Sequence, residues 1–160
     1  MDQAQQPKKI LIVEDEADIR LILCVYLQYA GFVVQAAAHG QEAIAMIAEF
    51  KPHLIVLDLM MQPITGWEVL DWLRANQLTP PLPVIILTAL SDIKEQVHGF
   101  EEGAIEYMAK PAQPSKVLER IRAILSLSPE QRLLLQQEQM EQKRSILEQL
   151  YAPRPDEFWN

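Results

Sequence analysis

HLIVLDLMMQPITG, residues 53–66, opens with an apolar run, Leu54-Ile55-Val56-Leu57, that stops at a carboxylate, Asp58. Four apolar residues without polar alternation read as a strand buried on both faces, as in a parallel sheet covered by helices. Taken alone, an aspartate at a strand end is most often a turn or cap residue. Its neighbours along the chain decide whether it is more than that.

Upstream, residues 10–13 form a second short buried run, interrupted by Glu14-Asp15-Glu16. Ile19, Leu23 and Leu27 then recur at helical spacing over residues 17–30, with Gly31 as the residue that ends the helix. Residues 32–36 predict another strand, and Gly40 opens a helix closed by Lys51-Pro52. Beyond Asp58, residues 66–75 are helical and carry Trp67, Val69, Leu70 and Leu73. The Pro80-Pro81-Leu82-Pro83 connector leads into a strand at 84–87. A polar helix over 91–102, a strand over 104–108 and a helix over 115–127, capped by Ser115, complete the pattern.

The βα unit therefore occurs five times. Short buried strands alternating with helices predict one doubly wound parallel sheet, joined by right-handed crossovers. The length of 160 residues suits one such domain. Residues 129–151 differ: six glutamines and few β-branched residues give high helix propensity. Leu133, Met140 and Ile146 or Leu147 approach heptad spacing, but Gln136 and Lys143 fall at the d positions, so any coiled coil is weak. The Leu133-Leu134-Leu135 cluster is too apolar for an isolated helix; it packs back, pairs with a second copy, or leads on as a linker. Residues 152–160 add two prolines and Phe158-Trp159.

Composition narrows the function. Hydrophobic residues at 49% exclude disorder of the whole chain, and a net charge of -8 repels phosphate backbones, so direct nucleic-acid binding is not expected. The single cysteine, Cys24, excludes an internal disulfide and a cysteine-built zinc site. Residues 1–8 read as a flexible lead-in without the apolar core of a signal peptide, and no run approaches membrane-spanning length, so the cytoplasm is the expected compartment.

In an open parallel sheet, ligands sit outside the carboxyl ends of the strands. With strand order 2-1-3-4-5, Glu14 and Asp15, Asp58, Thr88 and Lys110 all reach one rim. Three carboxylates in one cleft need a cation to stay ionised together, and oxygen ligands without His or Cys favour Mg²⁺. A carboxylate beside Mg²⁺ and a lysine is suited to accept a phosphoryl group, with Asp58 as the attacking oxygen and Thr88 donating to a phosphoryl oxygen.

The motifs ILIVEDEADIR, LIVLDLMMQPITG, ILTAL and YMAKP together resemble the receiver (CheY-like) domain of two-component response regulators, over about 120 residues. The resemblance implies a flavodoxin-like domain over residues 9–127 that takes a phosphoryl group on Asp58 from a sensor histidine kinase or a histidine phosphotransfer protein. It further implies Mg²⁺ held by Glu14, Asp15, Asp58 and the backbone carbonyl of Met60. Lys110 would serve as the site lysine, followed by Pro111 with a cis bond before it, and Thr88 and Tyr107 as the switch pair. The switched face would be the fourth helix, fifth strand and fifth helix. Without the resemblance, Tyr107 is an ordinary strand aromatic. Residues 129–151 would be a helical extension or a linker towards a missing effector domain, and the partners a downstream target and a possible second copy.

Three alternatives compete. An aspartyl phosphatase or phosphotransferase normally has an acid two residues after the nucleophile, where this chain has Met60. A dinucleotide site needs a Gly-rich first turn, which VEDEAD lacks. A receiver-like interaction module that is never phosphorylated would not need the intact set of rim residues. One departure from the family pattern is Pro63, which comes one residue later than usual, after Gln62. Another is the pair Met60 and Leu90 beside the site, where neither side chain can orient an attacking water. The acyl phosphate is therefore expected to be long-lived, and Met60→Asn should shorten its half-life; a longer half-life in the variant would overturn this reading of Met60.

Overall fold

The computed structural model describes residues 6–79 and 82–152. Five strands form one parallel sheet in the order β2-β1-β3-β4-β5: β1 (Lys9–Val13), β2 (Val33–Ala37), β3 (Leu54–Leu57), β4 (Val84–Thr88) and β5 (Glu106–Ala109). The helices are α1 (Ala17–Tyr29), α2 (Gly40–Phe50), α3 (Gly66–Ala75), α4 (Ile93–Glu101), α5 (Pro114–Leu125) and α6 (Pro129–Tyr151). The expected fold class, a doubly wound flavodoxin-like sheet with a C-terminal helical extension, is what the chain adopts. No helix among the described residues is long and apolar enough to cross a membrane.

The period of two in the central strands divides the core. Leu11, Val13, Ile55, Leu57, Val84 and Ile86 pack with α2 and α3 through Ile47, Val69, Leu70 and Leu73. Their alternates, Ile10, Ile12, Leu54, Val56, Ile85 and Leu87, pack on the other face with Leu23 and Leu27 of α1 and Val117, Ile121 and Ile124 of α5. Because both sets are apolar, neither face of these strands can be left in water. The sheet is covered twice, and the loops after β1, β3, β4 and β5 all emerge on one rim.

Local signals set the helix ends. Thr65 and Glu68 form a reciprocal capping box at α3, and Ser128 with Gln131 does the same at α6. Gly31, with φ of 101°, follows α1 in the left-handed region as expected of a residue that ends a helix. Ser115 is not the cap of α5: Gln113 holds that position without a side-chain bond, and Pro114 opens the helix, its fixed φ already helical. His39 caps α2 by accepting from the Glu42 N–H at 3.2 Å. The fifth strand spans Glu106–Ala109; Gly103 and Ala104 still bond back to α4 at Phe100 and Gly99, and Ile105 N–H makes the first bond to Val84 of β4. The peptide bonds before Pro63 and Pro111 are both cis.

Gly66 is fixed by a close approach. A Cβ there would lie 2.2 Å from the Asp58 carbonyl oxygen and 2.6 Å from the Leu59 Cα. The first turn of α3 thus rests directly on the backbone that carries Asp58, and only hydrogen fits between them. Gly66→Ala should lower the unfolding free energy by about 1–3 kcal/mol, as overpacking does; a urea titration with an unchanged midpoint would show that the loop gives way freely.

Candidate functional site

Three backbone hydrogen bonds and one from backbone to side chain hold the rim. Glu14 N–H donates to Ala37 at 3.0 Å, Asp58 N–H to Val13 at 3.0 Å, and Lys110 N–H to Thr88 at 2.8 Å, extending the sheet ladders one residue past the strands. Met60 N–H donates to Asp58 Oδ1 at 3.1 Å and orients that carboxylate. Glu14 and Asp58 are each only 2% exposed, whereas Asp15 faces solvent.

Between the two buried acids stands one ammonium. Lys110 Nζ lies 2.6 Å from Glu14 Oε1, 3.0 Å from Asp58 Oδ2 and 3.7 Å from Glu16 Oε1. One cation among these carboxylates leaves the rim short of positive charge. Burial, reinforced by the Asp58 charge and opposed by the Lys110 hydrogen bond, pushes Glu14 up to about 7 from an ordinary 4.5. Burial alone would lower Lys110, but its bonds to Glu14 and Asp58 outweigh that and raise it, so it stays charged.

Ligand oxygens of Glu14, Asp15 and Asp58 lie within 4.8 Å of one another. This all-oxygen set, partly buried and short of positive charge, can hold a hard divalent cation. Sequence reasoning missed Arg20, whose Nη1 donates to the Glu14 carbonyl at 2.9 Å and the Asp15 carbonyl at 3.3 Å. The available signal was a cation one to two helical turns after the acidic run. Arg20 holds the loop that aims both acids.

Thr88 is fully buried at the end of β4, and its Oγ1 accepts weakly from Leu90 N–H at 3.4 Å. The Tyr107 hydroxyl donates to the Leu90 carbonyl, so Thr88 and Tyr107 both bond the backbone of one residue. Burial pushes the Tyr107 phenol up, and it remains a donor throughout the physiological range. Met60 is half exposed beside Asp58, and Leu90 is partly buried against the core. His98 rests on the Trp67 ring, centroids 4.3 Å apart, which ties α4 to α3.

A buried acceptor carboxylate with cation-binding acids, an ammonium and a hydroxyl on this sheet order defines a phosphoacceptor signalling domain. The family model for the response regulator receiver domain matches residues 10–122, and the chain belongs to that family. It is 42% identical over 120 residues to the probable transcriptional regulator ycf27 of Porphyridium aerugineum, covering 75% of this chain and 49% of that protein. It is 40% identical over 118 residues to the phosphate regulon transcriptional regulatory protein PhoB of Pseudomonas aeruginosa, covering 74% and 52%. A putative response regulator from Chloroflexus aurantiacus J-10-fl superposes with a TM-score of 0.70 at 36% identity, covering 76% of this chain and 99% of that one. The chain spans about half the length of the curated relatives it matches.

The raised Glu14 pKa has a signed consequence. Folded Glu14 holds its proton more tightly than the unfolded chain does, so it stabilises the fold below about pH 4.5, and that contribution is lost as pH rises through 7. Without divalent cation, Glu14→Gln should therefore gain stability relative to the wild type between about pH 5 and 8. Adding Mg²⁺ should stabilise the wild type more than the variant. Thermal melts with and without chelator check both, and parallel pH profiles for the two proteins would contradict the assignment.

Proposed function

We propose that Asp58 accepts a phosphoryl group from a phosphohistidine on a sensor histidine kinase or histidine phosphotransfer protein, and that Thr88 and Tyr107 report it. The observation that carries this reading is the Asp58 carboxylate, 2% exposed at a strand end, with Lys110 Nζ 3.0 Å from one oxygen and the Met60 N–H 3.1 Å from the other. A group held this way is aimed, as a nucleophile must be.

An Asp58 oxygen forms a bond to phosphorus while the bond from phosphorus to the donor ring nitrogen breaks, and the electron pair leaves with the imidazole. Lys110 neutralises charge on the phosphoryl oxygens, and the Thr88 hydroxyl donates to one of them. Glu14, Asp15, Asp58 and the Met60 carbonyl would hold Mg²⁺, which when bound supplies further positive charge to those oxygens. Once the Thr88 hydroxyl turns to the phosphoryl group, the Leu90 backbone loses one of its two restraints, and Tyr107, bonded to the same residue, is free to follow.

The donor's approach is marked by α1, which starts beside the acidic loop. Leu21, Ile22, Val25, Tyr26 and Tyr29 leave an apolar stripe in solvent, Tyr29 being 95% exposed. An apolar footing at helical spacing suits a helical partner presenting its histidine to the rim. The output is a contact with a downstream target, or an effector domain beyond residue 151, with phosphorylation favouring pairing of two copies through α4, β5 and α5. The chain works in the cytoplasm and does not itself bind nucleic acid, given its net charge of -8.

Intact mass after incubation with Mg²⁺ and acetyl phosphate tests the central step. The expected result is a gain of one phosphoryl group that needs Mg²⁺ and vanishes in Asp58→Asn. A wild type that takes no adduct and binds no Mg²⁺ would make the domain a constitutive interaction module instead.

A further inference from the structure

Pairing through α4, β5 and α5 needs that face free, yet α6 runs across it. Gln136 Nε2 donates to the Phe100 carbonyl of α4 at 2.5 Å, and Arg144 Nε to Glu101 Oε1 at 3.2 Å. Gln139 Nε2 reaches Glu106 Oε2 of β5 at 3.4 Å, and Lys94 Nζ stands 4.4 Å above the Tyr151 ring. Leu135 packs against the cluster under α1 and α5. The helix thus lies mainly on α4 and meets β5, the edge strand of the sheet, at its first residue, Glu106.

The attachment is shallow. α6 has no buried residue, whereas the shorter α5 buries Val117, Ile121 and Ile124. Its half-buried side mixes the polar Arg132, Gln136, Gln139 and Lys143 with the apolar Leu135, Met140 and Leu147. About 170 Å³ of open space remains between its first turns and Pro83, Gly103 and Ile105. Polar fastenings with little apolar burial make a contact that can be displaced.

What lies beneath points to the competitor. Lys94, Glu101, Glu106 and Arg120 sit under or beside α6, and Arg120 pairs with Glu106 across α5 and β5. Two cations and two anions on one face can complement themselves across a two-fold axis, each anion meeting a cation of the other copy.

Coupling to the rim is also in place. A Cβ on Gly99 would lie 3.0 Å from Tyr107 Cδ2 and 2.9 Å from Ile86 Cδ1, so α4 rests directly on the Tyr107 ring. The next residue, Phe100, supplies the carbonyl that Gln136 holds. We infer that α6 is an intramolecular cover on the face where a second copy of this chain pairs, and that phosphorylation of Asp58, by shifting Tyr107 beneath α4, loosens it. This rests on the switch reading of Asp58.

Hydrogen exchange and molar mass of the full chain test it, with and without Mg²⁺ and acetyl phosphate, and with intact mass confirming the adduct. On phosphorylation, amide exchange across residues 132–147 should accelerate at least fivefold and the molar mass should move towards two copies. Phosphorylated protein with unchanged α6 exchange overturns the cover, and faster exchange at constant molar mass overturns the pairing. In unmodified protein, Arg144→Glu should speed α6 exchange, and adding Glu101→Arg should restore it. Should no adduct form, the Asp58 reading fails while this charge swap still decides the docking: unchanged exchange in Arg144→Glu rules it out.

Discussion

The site is organised around one ammonium placed between two buried carboxylates. Lys110 comes from the loop after β5, Glu14 from the end of β1 and Asp58 from the end of β3. No single segment can assemble that arrangement; it exists only when the sheet closes in the observed order. Burial, reinforced by the Asp58 charge, pushes Glu14 towards neutrality even with Lys110 beside it, and one cation among these carboxylates leaves the rim short of positive charge. A domain that stores this imbalance responds strongly to any added cation or phosphoryl group, because the electrostatics inside a partly buried cleft are weakly screened.

The scaffold tolerates this strain because its strength lies elsewhere. Two apolar layers, one on each face of the sheet, leave β3, β4 and all of β1 except Lys9 buried, and the rim residues are held to the ends of these strands by backbone bonds. Gly66 lets α3 press on the Asp58 backbone without a side chain between them. The Asp58 backbone is held from below, while Thr88 and Tyr107 both bond the backbone of one loop residue, Leu90.

α6 follows different physics from the five helices before it. Those helices bury apolar stripes against the sheet, whereas α6 is fastened through glutamine amides, an arginine and a tyrosine face to α4 and β5. Gln136 and Lys143, which break the heptad pattern, lie on the side of the helix turned to the domain. Polar residues at those positions make sense for a helix that meets backbone carbonyls and charged side chains rather than a matching apolar seam.

The sequence by itself determined the element order, the parallel sheet and the identity of the rim groups, because buried strands and amphipathic helices leave unmistakable periods and because strand-end residues are fixed once the strands are. It erred where local chemistry was ambiguous. Ser115 looked like a cap, but proline at the preceding position can open a helix without one. Tertiary structure alone decided how Lys110 divides itself between two acids and where α6 lies. These depend on side chains brought together from distant segments, Lys110 and Glu14 being 96 residues apart, and no local pattern encodes such a meeting.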